Sequence, residues 1–104
     1  MLLTTTENVV GKKISSVHGL ARGSTVRARN VGRDMIAGLK NLVGGEISEY
    51  TRLQAHAREE AIQRMIVDAK KIGANAIVSV RITTAMIQGG ASEILAYGTA
   101  VTIE

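Results

Sequence analysis

Residues 76–103 read AIVSVRITTAMIQGGASEILAYGTAVTI, and this stretch decides the fold. From Ala76 to Gln88 side-chain character alternates: Val78, Val80, Ile82, Thr84 and Met86 fall on one side, Ser79, Arg81, Thr83 and Ala85 on the other. A period of two is the signature of a strand with one face packed. Gly89-Gly90 marks a hairpin turn, and Glu93–Ile103 is the returning strand. One of its faces carries Leu95, Tyr97, Thr99, Val101 and Ile103, the other Ile94, Ala96, Gly98, Ala100 and Thr102. The second face is almost smooth, which predicts a helix or another chain lying close against it.

Upstream of this hairpin, Gly73 closes a helix that begins at the N-cap Ser48 and runs about 24 residues to Ile72. Its apolar stripe is Tyr50, Leu53, Ala57, Ala61, Met65, Ala69 and Ile72, flanked by Ile62 and Ile66. The alanines on that line permit close packing. Glu60 and Arg64 form an i,i+4 pair on the polar side, and Lys70 and Lys71 complement the C-terminal dipole. A shorter helix is predicted from the N-cap Asn30 to Leu42, with Val31, Met35, Leu39 and Leu42 on one stripe and Gly44-Gly45 ending it. Lys13–Val26 has strand character, with Ile14, Ser16, His18 and Leu20 on one face. Gly19 and Gly23 inside it suggest bulges or a bend. Met1–Thr6 reads as a short Thr-rich strand. The order β, β, α, α, β, β predicts an α+β domain over residues 1–104: an antiparallel sheet with a short and a long helix packed on one face.

Composition narrows the chemistry. The chain has no Cys, which excludes disulfides, thiolate metal sites and thiol catalysis. Tyr50 and Tyr97 are its only aromatics, too few for a stacking platform. No apolar run approaches the roughly 20 residues of a membrane span, and Met1–Thr6 lacks a basic lead, so cytoplasm is the expected compartment. The apolar side consists of 28 Ile, Leu and Val with 13 Ala, an aliphatic and thin core that self-association would enlarge. Net charge is +4, with +5 in residues 1–45 and −1 in residues 46–104. Lys12–Arg33 holds six basic residues and no acid. That segment could take an anion or nucleic acid, but such runs are usually solvated faces, and no nucleic-acid-binding motif accompanies it.

No constellation assembles an active site. His56 and Glu60 lie four apart on the long helix, a spacing that lets two ligands share a divalent ion, yet zinc takes three or four protein ligands. Gly44-Gly45-Glu46 precedes a helix, but no Lys-Ser/Thr follows and Glu46 would repel an anion, so it is no P-loop. His18 shares a face with Ser16 but has no orienting carboxylate nearby in sequence. Arg33-Asp34 and Tyr50…Arg58 read equally well as polar anchors in a cleft or as salt bridges at helix ends.

Several segments together are distinctive: the opening Thr4-Thr5-Thr6, Gly19–Gly23, Asn30–Asp34, LKNLVGGE at 39–46, Tyr50, Ala57-Arg58, GANAIV at 73–78 and YGTAV at 97–101. In this order they resemble the YbjQ-like family of small bacterial and archaeal proteins, labelled "putative heavy-metal-binding". The resemblance covers essentially the whole chain. It implies a dodecin-like, ring-forming α+β subunit, with five copies of the chain as partners of one another. It implies no known reaction. Carried over by motif, Asp34, Tyr50 and Arg58 are candidate ligand-binding residues, joined by Glu46 beside Gly44-Gly45. His56 and Glu60 are the candidate metal ligands from spacing, with a divalent ion the candidate cofactor. The expected function is non-enzymatic binding of a small ligand or metal ion at subunit interfaces. The alternatives are an enzyme completed between subunits and anion or nucleic-acid binding through Lys12–Arg33.

Overall fold

A computed structural model describes residues 1–27, 48–87 and 91–104, with side chains over 1–26, 54–87 and 91–104. The elements in chain order are β1 (Leu2–Leu3), β2 (Ile14–Arg27), α1 (Ser48–Lys71), β3 (Ala76–Ile87) and β4 (Ala91–Ile103). The expected short helix over 30–42 and the Gly89-Gly90 turn lie outside the described residues. The strands form one sheet in the order β1-β3-β4-β2. β4 pairs antiparallel with both β2 and β3, while β1 pairs parallel with β3 at Ala76 and Ile77. The sheet is therefore mixed rather than purely antiparallel. The N-terminal strand shrinks to two residues because β3 bulges at Ser79, although Thr4 and Thr6 still bond to Ile77, Ser79 and Val80.

α1 lies on the face formed by β2 and β4. Ala57, Ala61, Met65 and Ala69 are buried, and they meet Ala21, Ile94, Ala96, Ala100 and Ile77 in one apolar cluster. Of the stripe read from the sequence, Ala57, Ala61, Met65 and Ala69 make this contact and Ile72 is 42% exposed, while the side chains of Tyr50 and Leu53 lie outside the described set. The helix stops as Gly73 suggested. Gly73 has φ 86°, its N–H donates to Lys70 O, and Ala74 N–H donates to Ala69 O. Those two bonds and the left-handed residue make a Schellman cap, which glycine enters without steric cost. Asn75 then ties the turn to the end of β4: its Nδ2 donates to Ile103 O at 3.0 Å and its Oδ1 accepts from Ile103 N at 2.8 Å.

Gly23 makes the helix contact close. A Cβ there would overlap the backbone at Met65 N, Ala61 O and Arg64 C. Gly23 is thus a close-approach site, whereas Gly19, with φ 121°, pairs with Ala100 and closes a bulge that leaves His18 unpaired after Val17. Sequence reasoning treated the two glycines alike, and packing separates them. Thr25, buried beside this contact, donates its hydroxyl to Ala57 O at 3.2 Å and so is not orphaned in the core.

The alternation expected along β3 breaks once. Ser79 has φ 55°, and the pairing with β4 shifts between Val78 and Arg81. Ser79 N donates to Thr6 O and Val80 N to Thr4 O, so two successive amides turn outward to the Thr4–Thr6 segment. The bulge reverses the faces. Ile77 and Val80 join the helix-side cluster, while Ala76 and Val78 pack with Val101, Val9, Ile14 and Ile103 on the opposite face. Val78 and Val80, expected on one side, lie on opposite sides. The smooth face of β4 is covered by α1, as expected, and Gly98 also accommodates β3: a Cβ there would meet Ile77 Cγ2 at 2.7 Å and Val80 Cγ2 at 3.3 Å.

Candidate functional site

The helix and the outer edge of β2 meet through polar side chains spaced one turn apart. Glu60, Arg64 and Asp68 run along the flank of α1, each one residue before a member of the buried Ala61, Met65, Ala69 line. Arg64 donates to Ser24 O at 2.6 Å and pairs with Glu60 Oε1 at 2.5 Å. Asp68 Oδ2 accepts the Arg22 N–H at 3.0 Å. Within one strand, the backbone groups of residues two apart point to the same side, so Arg22 and Ser24 both face outward from the sheet. Two of the backbone groups on this outer edge are therefore satisfied by the helix.

This junction walls an open cleft of about 360 Å³ lined by Arg22, Glu60, Arg64, Val67, Asp68 and Lys71 among others. Glu60, Arg64 and Asp68 are committed to the bonds just given. Among the described residues the Arg22 guanidinium and the Lys71 ammonium have no partner. The cleft thus offers two cationic donors beside exposed Val67, an arrangement able to hold a small anion.

The residues singled out in the sequence fall elsewhere. His56 and Arg58 are exposed on α1. Glu60 is 35% exposed and bound to Arg64. Tyr50 belongs to the first turn of α1, with its side chain outside the described set, and Asp34 and Glu46 lie outside the described residues altogether. Among the described residues there is no group of three or more His, Asp or Glu that could hold a metal. His18 does not reach Ser16: the bulge at Val17–Gly19 turns it to Thr102, with Nε2 2.6 Å from Oγ1. In the basic segment, Lys12, Lys13 and Arg22 are exposed, while Arg29 and Arg33 lie outside the described residues. Sequence reading missed the edge-capping pair Arg64 and Asp68. The signal was present as the i,i+4 ladder 60, 64, 68 beside the alanine line, but only the fold shows what it faces.

The family described as "putative heavy-metal-binding" matches this chain over residues 1–104. Its curated relatives bear the name UPF0145 protein. The protein from Methanosarcina acetivorans is 52% identical over 103 residues, covering 99% of this chain and 97% of its own. That from Clostridioides difficile is 55% identical over 104 residues, covering 100% and 93%. A crystal structure of a protein of unknown function from Pediococcus pentosaceus, assigned to the DUF74 family, superposes with a TM-score of 0.60 at 19% identity. It covers 100% of this chain and 98% of that one, and it shares the fold. No helix of the described residues is long and apolar enough to cross a membrane. On the full-length match and identities above half, this chain belongs to the YbjQ-like, UPF0145 family.

Proposed function

We propose that this chain is the subunit of a closed homo-oligomeric ring in the cytoplasm, five copies by family resemblance, that works by binding rather than by catalysis. Its ligand sits at or beside the contacts between subunits. One observation carries the reading: the Cα radius of gyration is 17.1 Å, against about 13 Å for a compact domain of about 100 residues. Seven of the twelve buried apolar residues among those described are alanine. An extended subunit with so thin a core gains most of its further burial from neighbours. β4 is flanked by β2 and β3 along both edges, so the contacts belong to the outer strands and not to the terminal strand.

Native mass spectrometry of untagged protein tests this. The expected spectrum shows a closed oligomer with additional non-covalent mass. A folded 11.0 kDa monomer at micromolar concentration overturns the reading. The cleft between β2 and α1 favours a second reading, in which the ligand is a small anion held by Arg22 and Lys71. Calorimetric titration with inorganic phosphate tests it: saturable binding lost in Arg22→Gln supports it, and no saturable heat overturns it.

A further inference from the structure

The cleft between β2 and α1 holds an unpaired negative group beside its two cations. Asp68, half-buried at the helix–strand junction, uses only one of its carboxylate oxygens. Oδ2 accepts the Arg22 N–H at 3.0 Å, and among the described residues Oδ1 has no partner. That backbone bond holds the carboxylate in place. Lys71 lies three residues further along the helix, a spacing at which Asp and Lys side chains can meet, yet among the described residues no ion pair joins them. The Arg22 guanidinium and the Gln63 side-chain amide are likewise without partners among the described residues. Val67, 52% exposed, lines the same cleft. At about 360 Å³ the cleft falls at the lower end of the roughly 300–1,000 Å³ of small-molecule sites.

We propose that the ligand of this cleft is an α-amino acid with a small aliphatic side chain, bound as its zwitterion. This ligand class rests on the anion reading of the cleft and names the molecule that carries the anionic group. The α-carboxylate takes Arg22 and Lys71, the α-ammonium takes Asp68 Oδ1, and the side chain lies on Val67 and the methylene stem of Lys71. Charge selects this class. Arg64 and Glu60 are paired with each other, so the uncompensated charges of the cleft are those of Arg22, Lys71 and Asp68. A simple anion drawn to the two cations comes within one helical turn of Asp68, whose charge opposes it. A simple cation drawn to Asp68 meets two positive charges in the same way. A molecule with both signs on one carbon turns both repulsions into attractions. Spacing agrees with charge. Cβ atoms three residues apart on a helix lie about 5–6 Å from each other, close enough for Asp68 and Lys71 to grip two groups that share a carbon. A guanidinium takes a carboxylate through two parallel bonds, so Arg22 fixes which way the ligand points.

Calorimetric titration at millimolar ligand concentration tests it. The probes are L-valine, isovalerate (valine without its ammonium group), isobutylamine (valine without its carboxylate) and inorganic phosphate. Valine should bind wild type about tenfold tighter than isovalerate, the fold-change of one hydrogen bond to a charged group. Isobutylamine should give no saturable heat. In Asp68→Asn the amide oxygen still accepts the Arg22 N–H, so the bond between helix and strand stays and only the charge goes. Valine should then bind no better than isovalerate does, and isovalerate should bind at least as well as it binds wild type. Arg22→Gln should weaken both. Far-UV circular dichroism checks folding, and the wild-type comparison decides if a variant does not fold. Valine that binds wild type no tighter than isovalerate, or equally well in folded D68N, overturns the zwitterion; saturable phosphate binding lost in R22Q then keeps the anion reading. If valine, isovalerate and phosphate all give no saturable heat, both fall.

Discussion

Along β2, the outward N–H of Arg22 and C=O of Ser24 are taken by Asp68 and Arg64 of α1, whereas along β3 the outward groups from Ile82 to Met86 meet nothing among the described residues. Both strands have exposed apolar side chains: Val17, Leu20 and Val26 on β2, Ile82, Met86 and Ile87 on β3. Apolar exposure therefore does not distinguish the edges. What distinguishes them is the position of the helix, which sits over β2 and β4 and comes close to β2 only because Gly23 has no side chain. A backbone group that a side chain already satisfies cannot template pairing, whereas an unpaired one can, so the helix sets the character of the β2 edge at Arg22 and Ser24.

The largest effect is expected at the glycine that lets the helix down. In Gly23→Ala the new methyl meets helix backbone at Met65, Ala61 and Arg64, atoms that cannot rotate aside. α1 must lift along its length, and the loss of stability should be about 3 kcal/mol, the upper part of the range for overpacking. Urea denaturation monitored by circular dichroism measures it. Because the lift also withdraws Arg64 and Asp68, G23A should loosen the β2 edge together with the core. A loss below about 0.5 kcal/mol would mean that the helix does not rest on this strand.

The same substitution at Gly98 should be milder. There the nearest atom is Ile77 Cγ2 at 2.7 Å, with Val80 Cγ2 at 3.3 Å, side-chain methyls that can shift, although Val78 O at 3.0 Å cannot. Gly98→Ala is expected to cost about 1–2 kcal/mol by the same assay, with the Arg22 and Ser24 bonds to α1 intact. An effect equal to that of G23A would show that β4, not β2, sets the height of the helix.

How much of this was legible in the sequence follows the range of the interactions. The long helix was read as Ser48–Ile72 and spans Ser48–Lys71, because its cap at Gly73 and its alanine line are local signals. The hairpin strands and the smooth face of β4 were legible for the same reason. The bulge at Ser79 was not, since nothing in AIVSVRITT interrupts the alternation. It is imposed by Thr4 and Thr6, more than seventy residues away in the chain, and it puts Val78 and Val80 on opposite faces. The role of Gly23 was hidden likewise, because what presses on it is helix backbone some forty residues later. The expected ligand set Asp34, Glu46, Tyr50 and Arg58 came from motif resemblance, and of these only Arg58 has a described side chain, exposed on α1. The cleft at Arg22, by contrast, needs the strand edge and the helix flank at once, and no spacing along the chain announces it.

Removing the cap should convert the closed edge toward the open one. Arg64→Ala with Asp68→Ala deletes the bonds to Ser24 O and Arg22 N. The loss of subunit stability should be about 1 kcal/mol, because each bond is exchanged with water at an exposed site. The sharper readout is association. With both edges open the sheet can extend head to tail, so light scattering should show concentration-dependent growth beyond the wild-type assembly. Unchanged scattering by the folded double variant would show that the cap does not govern edge pairing.

The smallest effect is expected from zinc, and the edge cap gives the reason. Glu60, four residues beyond His56, is bonded to Arg64, whose guanidinium also holds Ser24 O. A cation that recruits Glu60 must compete with that pairing, and if it releases Arg64 it uncovers the β2 edge. It gains two ligands where zinc takes three or four, and the described residues contain no cluster of three to complete the set. Isothermal titration with zinc should therefore give no saturable heat at micromolar concentration, and His56→Ala should match wild type. Should one zinc per subunit bind and be lost in H56A, the ligands must come from residues outside the described segments or from a neighbouring copy. The metal would then act on assembly, by freeing Arg64 and opening the edge that the helix keeps closed.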